Sequence, residues 1–359
     1  MAKTVLVAMS GGVDSSVALS KVLEMGHDAI GITMKLWNNK DPKTNTVRPS
    51  LCNSADAING AKLICDRLGV KHYTIDFIDL FKKYVVDDFV SQYMNGKTPN
   101  PCVKCNSMIK WDALIKFSQE IEADLIATGH YAQIKKIEGE FILSKGIDAS
   151  KDQSYMLWDI DKKQLSKTLF PIGGMTKQEV REYAIKHDLE TANRAESQDL
   201  CFVLGDDYSQ FLYEIDPDKM ANISDGPIVD EENNKVGMHK GFTSYTVGQR
   251  KGLGLSFPEP RYVKKINPIN NTIVVSKKDA LYSNRCTAHS INLLKDDVAF
   301  PANIMAQIRY NSKPSLAKIE INADDEINIE FENPQLAITP GQSIVFYEDN
   351  TLIGGAIIK

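Results

Sequence analysis

Residues 4–26 read TVLVAMSGGVDSSVALSKVLEMG, and the fold of the first half of the chain follows from this stretch. Thr4–Met9 is a short apolar run of strand length, and Val13–Met25 repeats its apolar residues at helical spacing until Gly26 stops it. Between them Gly11 and Gly12 let the backbone turn tightly, so that successive N–H groups face one point. The serines and the N-terminus of the helix add donors and a partial positive charge. Strand, glycine turn and helix in this order make a phosphate cradle. It is neither G-x-x-x-x-G-K-[ST], since it has no lysine, nor G-x-G-x-x-G. Asp14 is odd inside an anion site unless a divalent cation such as Mg2+ bridges it to phosphate.

The alternation continues outward. Ala29–Met34, Lys71–Asp76 and Asp124–Ala127 read as further strands, and Ala55–Leu68, Asp79–Tyr93, 107–120 and Thr176–His187 as helices. Strands alternating with helices give a parallel sheet covered on both faces. Ligands of such sheets sit at the carboxyl ends of the strands, where SGGVDS and the TGH of 128–130 both fall. After about residue 205 the texture changes. Short β-like runs such as RYVKKI, NTIVVSKK, INIEF and QSIVFY are separated by Asn, Asp, Pro and Gly turns, as in an all-β barrel or sandwich. The expected division is a catalytic α/β domain over 1–204, a glycine-rich linking domain over 205–270 and a C-terminal β-barrel domain over 271–359.

A chain of 359 residues is too long for one ordinary core, and its 43% hydrophobic and 25% charged residues are those of a globular protein. The apolar run at the N-terminus is too short for a signal peptide, and no segment has the uninterrupted apolar length of a membrane span. A cytoplasmic protein with no membrane partner is expected. The net charge of −5 hides an asymmetry: Lys240–Lys318 holds 13 Lys plus Arg against 4 Asp plus Glu, a block suited to a polyanion.

Six cysteines, at 52, 65, 102, 105, 201 and 286, are too few for a disulfide scaffold. Cys52, Cys65 and Cys286 have no partner at ligand spacing, and Cys65 sits in an apolar helical pattern as a buried, inert thiol does. Residues 98–106, TPNPCVKCN, place Cys102 and Cys105 three apart. Such a pair serves as half a zinc site, a redox pair, part of an iron–sulfur ligand set, or a reactive thiol beside a bystander.

SGGVDS in its strand–loop–helix context resembles the loop of the ATP pyrophosphatases, or PP-loop enzymes, which include sulfur-inserting RNA enzymes and amide ligases. TPNPCVKCN, ATGHYA (127–132), KDQSYML (151–157), FPIGGMTK (170–177), SQDLCFV (197–203), TVGQRKGLG (246–254) and TPGQSIVFY (339–347) narrow the likeness. Taken together and in this order, they resemble the tRNA-specific 2-thiouridylases (MnmA/TrmU). The likeness spans essentially the whole chain. It implies a Rossmann-like PP-loop domain, a small linking domain and a β-barrel. It also implies ATP-dependent replacement of the C2 oxygen of the wobble uridine by sulfur in tRNAs of the Lys, Glu and Gln type.

Position by position, the resemblance gives Cys105 the role of catalytic cysteine and Cys201 that of persulfide carrier, the two ending as a disulfide. A sulfur carrier protein or a cysteine desulfurase would load Cys201. Ala8, Met9, Ser10, Gly11, Gly12, Val13, Asp14 and Ser15 would line the ATP phosphates, with Met34 at adenine and Gly129 completing the pocket. Asn100, Pro101 and Cys102 would border the target uridine, flipped from its stack to expose C2. Lys151, Asp152, Gln153, His130, Arg309, Tyr310 and Gln342 would contact tRNA. Family members commonly carry Asp where this chain has Cys102. A thiol titrates near 8.5 against about 4 for Asp, so Cys102 is no simple replacement for a carboxylate. The same departure opens an alternative, a [4Fe–4S] cluster on Cys102, Cys105 and Cys201. A PP-loop amide ligase, needing no cysteine, is the competing class.

Overall fold

The computed structural model describes residues 1–38, 55–192, 194, 200–203, 207–296, 298–322 and 326–359. Cys52, the Ser197–Asp199 part of SQDLCFV and the expected junction at 204–205 lie outside the described residues.

The first body opens with β1 (Thr4–Ala8), α1 (Val13–Glu24), β2 (Asp28–Lys35), α2 (Ala55–Arg67) and β3 (Lys71–Asp76). A helical layer follows: α3 (Ile78–Phe81), α4 (Asp87–Met94), α5 (Pro101–Lys104) and α6 (Leu114–Glu120). Then come β4 (Leu125–Ala127), a hairpin of β5 (Ala132–Ile137) and β6 (Glu140–Lys145), β7 (Thr168–Leu169) and α7 (Lys177–Lys186). The sheet runs β3-β2-β1-β4-β7 with all neighbours parallel. Val5, Leu6 and Val7 are wholly buried because β1 is covered on both faces, which explains their continuous apolar run. Strand order reverses direction between β1 and β4, so the loops after these two strands flank the switch point where α/β sheets bind ligands.

Two helices differ from expectation. The run expected over 79–93 is broken into α3, a π-helical turn at Lys82–Val86, and α4. The helix expected over 107–120 starts earlier, at Pro101, because Asn100 caps it by accepting from the Val103 N–H and proline suits its first position. It continues through a π-helical stretch, Cys105–Ala113, into α6. Cys102 thus lies in the first turn of the helix, and Cys105 opens its π-helical stretch.

Next come α8 (Tyr208–Ile215), α9 (Pro217–Ala221), β8 (Gly226–Val229), β9 (Lys235–His239), β10 (Tyr262–Asn267) and β11 (Thr272–Ser276), the strands forming a sheet in the order β10-β11-β8-β9. The last body contains β12 (Tyr282–Leu293), β13 (Ala302–Gln307), β14 (Ser315–Ile321), β15 (Ile327–Leu336), β16 (Ser343–Glu348) and β17 (Thr351–Ile358). Their order is β12-β15-β14-β13-β16-β17, and β12 pairs again with β17, closing a six-stranded barrel that leaves no edge among these six.

The β5–β6 hairpin belongs to the first body in sequence, yet it extends the barrel sheet through Ser144 beside Thr351. Its turn places Glu138 at φ 51° and Gly139 at φ 94°, the paired positive angles that close a two-residue hairpin. The junction is sealed by buried aromatic side chains. Trp158 donates to Ser343 Oγ at 2.9 Å, and Tyr155 donates to the Ser343 carbonyl at 2.8 Å. A Cβ at Gly355 would lie 2.6 Å from the Trp158 ring, so only glycine lets the barrel seat there.

Candidate active site

The glycine loop has the form the sequence predicts. Gly11 adopts φ +74°, and a Cβ there would lie 2.3 Å from the Ala57 carbonyl. Gly129, after β4, packs so closely that a Cβ would meet Asp14 C and Ser15 N at 2.8 Å. Gly12 caps α1 without any side-chain bond, leaving the first N–H groups of the helix to an anion. Ser15 Oγ accepts from Ser10 N at 3.2 Å and lies 3.3 Å from Ser10 Oγ, so two hydroxyls edge the cradle. These features fit a polyphosphate. Ala8, Met9, Val13 and Met34 have buried side chains and offer a nucleotide only their backbones.

Asp14 is compensated by an ammonium group. Lys177 donates to both of its oxygens, at 2.8 and 2.9 Å, and Tyr131 Oη donates to Oδ1 at 2.7 Å. Arg194 donates to the Gly11 carbonyl at 2.6 Å.

Cys105 and Cys201 are half-buried thiols, and Cys102 is an exposed one. Cys105 and Cys201 pack against the same apolar core, which also contains Ala8 and Met34. Phe202 anchors the second of them, meeting Phe81, Phe89 and Phe211 edge-on at centroid distances of 5.6, 5.3 and 5.1 Å. The helices bearing Phe81 and Phe89 border the π-helical turn at 82–86, which touches both α5 and the stretch that begins at Cys105. By contrast, Cys65 is fully buried with its thiol pushed up to about 11, and burial pushes Cys286 up to about 12. Neither is poised to react at neutral pH.

The expected tRNA-facing residues divide by environment. Gln342 donates to the Thr98 and Pro99 carbonyls at 2.9 and 3.0 Å, tying the barrel to the cysteine loop. Asn100 Nδ2 points at Met156 Sδ, 3.7 Å away, and Pro101 is buried. Asp152 accepts from Gly146 N, Ser154 N and Ser154 Oγ, and Gln153 Oε1 accepts from Tyr131 N at 3.0 Å. Both side chains therefore shape the turn that presents Lys151. Arg309 donates to the Ala337 carbonyl and to Thr339 Oγ1. Burial first, then the charges of Asp152 and Cys102, push the Tyr310 phenol above its ordinary value. His130 is buried, 2.7 Å from Thr128 Oγ1 and 3.4 Å from Lys110 Nζ, and burial holds it well below the usual histidine range. It is a neutral ring that steadies Lys110.

Three family models cover the chain: "tRNA methyl transferase HUP domain" at residues 3–205, "tRNA methyl transferase PRC-barrel domain" at 215–277 and "aminomethyltransferase beta-barrel domain" at 283–358. The chain is 42% identical over its full length to a protein of Clostridium kluyveri named tRNA-specific 2-thiouridylase MnmA, covering 99% of that relative. It is 42% identical to the MnmA of Carboxydothermus hydrogenoformans, over 99% of this chain and 98% of the relative. The MnmA of Clostridioides difficile is 41% identical, over 100% and 99%. The chain belongs to the tRNA-specific 2-thiouridylases, the MnmA/TrmU family.

In this thiouridylase the fold class is as the resemblance implied: a HUP-type, Rossmann-like domain with a parallel sheet, a middle PRC-barrel domain and a closed C-terminal barrel. Among the described residues no helix is long and apolar enough to cross a membrane. Also among them, no three His, Cys, Asp or Glu side chains are gathered as a single metal ion needs. Sequence reasoning missed Lys177, Tyr131 and Arg194. Lys177 ends the FPIGGMTK segment and Tyr131 lies within ATGHYA, so the signal was two charged or polar residues inside segments already singled out.

Proposed function

We propose that this chain is an ATP-dependent sulfurtransferase that 2-thiolates the wobble uridine of tRNAs of the Lys, Glu and Gln type. The observation that carries the reading is that Cys105, beside the C-x-x-C helix, and Cys201 pack onto one core, which also holds Ala8 at the end of β1, where the glycine loop begins. ATP, carrying Mg2+ on its phosphates, supplies an adenylyl group that turns the uridine O2 into a leaving group and releases pyrophosphate. The chain's own part is to hold the phosphates over Gly11 and Gly12, border the extruded base with Asn100, Pro101 and Cys102, and deliver sulfur.

A persulfide on Cys201, loaded by a cysteine desulfurase or sulfur carrier protein, is the sulfur source. Its terminal sulfur attacks C2 directly, after which Cys105 attacks the Cys201 sulfur and breaks the S–S bond to free the 2-thiocarbonyl; or Cys105 first attacks the inner sulfur, and the sulfide so released attacks C2. AMP departs with the former O2, and a Cys105–Cys201 disulfide remains for an external reductant. Its closure brings the two Cα atoms within roughly 7 Å. The half-burial of both thiols supports this, because it shields the persulfide from stray reductants. A cluster on three cysteines requires Cys102 as well; anaerobically purified protein that is brown and absorbs near 400 nm would revive that route.

The reading is tested by assaying 2-thiouridine in tRNA with Cys105→Ala and Cys201→Ala. Loss of product in both is expected. Undiminished product with Cys201→Ala would end the persulfide account.

A further inference from the structure

Lys110 belongs to the π-helical stretch that begins at Cys105, and its Nζ sits 3.4 Å from Nε2 of His130, in the loop after β4. An ammonium only donates, so Nε2 accepts and the ring proton is on Nδ1, 2.7 Å from Thr128 Oγ1. Burial and then the Lys110 charge keep the ring neutral, and Trp111 and Phe170 hold it at centroid distances of 5.6 and 6.0 Å. The lysines on either side of Lys110 pair with carboxylates, Lys104 with Asp159 and Lys116 with Asp112. Among the described residues Lys110 has no such pair. A half-buried ammonium is therefore held in place by a neutral base and keeps its full charge for a ligand.

The ligand follows from what this ammonium stands between. Gly129, the residue before His130, packs on the backbone of Asp14 and Ser15 in the glycine loop. Cys105, five residues before Lys110, is the thiol that meets the transferred sulfur on the reading above. When the uridine O2 bonds to ATP, the α-phosphorus is two bonds from C2, so the α-phosphate is the phosphate group nearest that thiol. We propose that Lys110 is a catalytic residue that contacts the α-phosphate of the nucleotide, with His130 as its positioning residue. The proposal rests on the reading of the chain as an ATP-dependent sulfurtransferase. In the adenylation step O2 attacks the α-phosphorus, the uridine N3 proton passes to water, and pyrophosphate leaves with the electron pair of the broken P–O bond. Charge gathers on the α-phosphate oxygens as O2 arrives, and an ammonium already in place stabilises it without reorganisation. The same contact holds AMP as sulfur displaces it from C2.

Calorimetric titration of the full chain with ATP, AMP and inorganic pyrophosphate, beside filter binding of tRNA, tests the idea. Lys110→Met is expected to weaken AMP by about 10- to 100-fold, the range of a lost charge-assisted bond, and pyrophosphate by less than about threefold. The affinity for tRNA and its salt dependence should stay as in the wild type. Pyrophosphate release with tRNA and ATP should slow by about 100- to 1,000-fold. Lys110→Arg should recover most of the AMP affinity. Lys110→Gln, which keeps an uncharged donor for His130, should lose it as Lys110→Met does, so a fold disturbed by methionine does not decide the outcome. Adding His130→Gln to Lys110→Met should cost AMP nothing more, because His130 acts through Lys110; additive losses would contradict its positioning role. Equal losses for AMP and pyrophosphate would overturn the proposal, since the whole pocket would have changed. So would intact AMP binding with weaker tRNA binding and a salt slope lower by about one, the mark of an RNA phosphate. A wild-type chain that binds ATP but not AMP would also overturn it, whereas one that binds neither would defeat the ATP reading itself.

Discussion

Gln342 of the barrel donates its side-chain amide to the Thr98 carbonyl of the cysteine loop at 2.9 Å, and Thr98 N in turn donates to the carbonyl of Pro340, two residues before Gln342, at 2.8 Å. Gly341 makes this approach possible, since a Cβ there would lie 2.9 Å from Lys97 Cβ and 3.0 Å from Thr98 N. The loop that leads to Cys102 and Cys105 is therefore positioned by a body more than two hundred residues away in sequence.

Replacing Gln342 by Ala removes the donors to Thr98 and Pro99. Leaving part-buried carbonyls unmet costs about 1–3 kcal/mol. The expected outcome is a modest drop in the urea midpoint with a larger fall, about tenfold or more, in 2-thiouridine formation, because the loop loses its register. Equal activity at saturating tRNA would count against the positioning role.

Phe202 is 2% exposed and lies among three aromatic rings. Phe202→Ala should destabilise by about 3–5 kcal/mol, measured by chemical denaturation. Because the backbone of Cys201 is anchored through this neighbour, sulfur transfer should fall even where the protein is still folded.

The cysteines should separate by chemistry. Brief iodoacetamide treatment at pH 7.5, followed by peptide mass spectrometry, is expected to label exposed Cys102 first. Cys65 and Cys286, with thiols pushed up to about 11 and about 12, should resist until the protein is unfolded. Early labelling of Cys65 would contradict the packing of α2 on the sheet.

Acid should weaken the fold through histidine. Burial holds His130 well below its ordinary value, and it lowers His72 and His239 as well. A depressed folded value means the unfolded chain binds the proton more readily. The contribution is therefore present above the unfolded value of about 6.5 and is lost as pH falls towards the folded one. The urea midpoint should decline from pH 7 to pH 5, by at most about 1.4 kcal/mol per pH unit for each group. His130→Gln should flatten that decline; an unchanged slope would mean His130 is not buried neutral.

Much of this was legible in the sequence where local signals decide. Strand, glycine turn and helix at 4–26 leave one reading, since Gly11 must take a positive φ and β1 must be apolar on both faces. The start of the helix at Pro101 was hidden because the run expected at 107 has the clearer periodicity, while the cap, Asn100, lies just outside it. The β5–β6 hairpin escaped because a partner strand in the barrel, beginning at Thr351, gives it its place. The Lys177–Asp14 pair joins residues 163 apart, and no periodicity reports such a contact. Likewise, the side chains of Asp152 and Gln153 turn inward to backbone groups, which a list of charged residues cannot foretell.

The central claim is that Cys201 carries the sulfur and Cys105 meets it. Peptide mass spectrometry after loading with a cysteine desulfurase and cysteine, then again after one turnover with tRNA and ATP, tests this most directly. The account predicts one extra sulfur atom on the Cys201 peptide, followed by a disulfide-linked pair of peptides containing Cys105 and Cys201. Sulfur found on Cys102 or Cys105 instead, with no such linked pair after turnover, would contradict it.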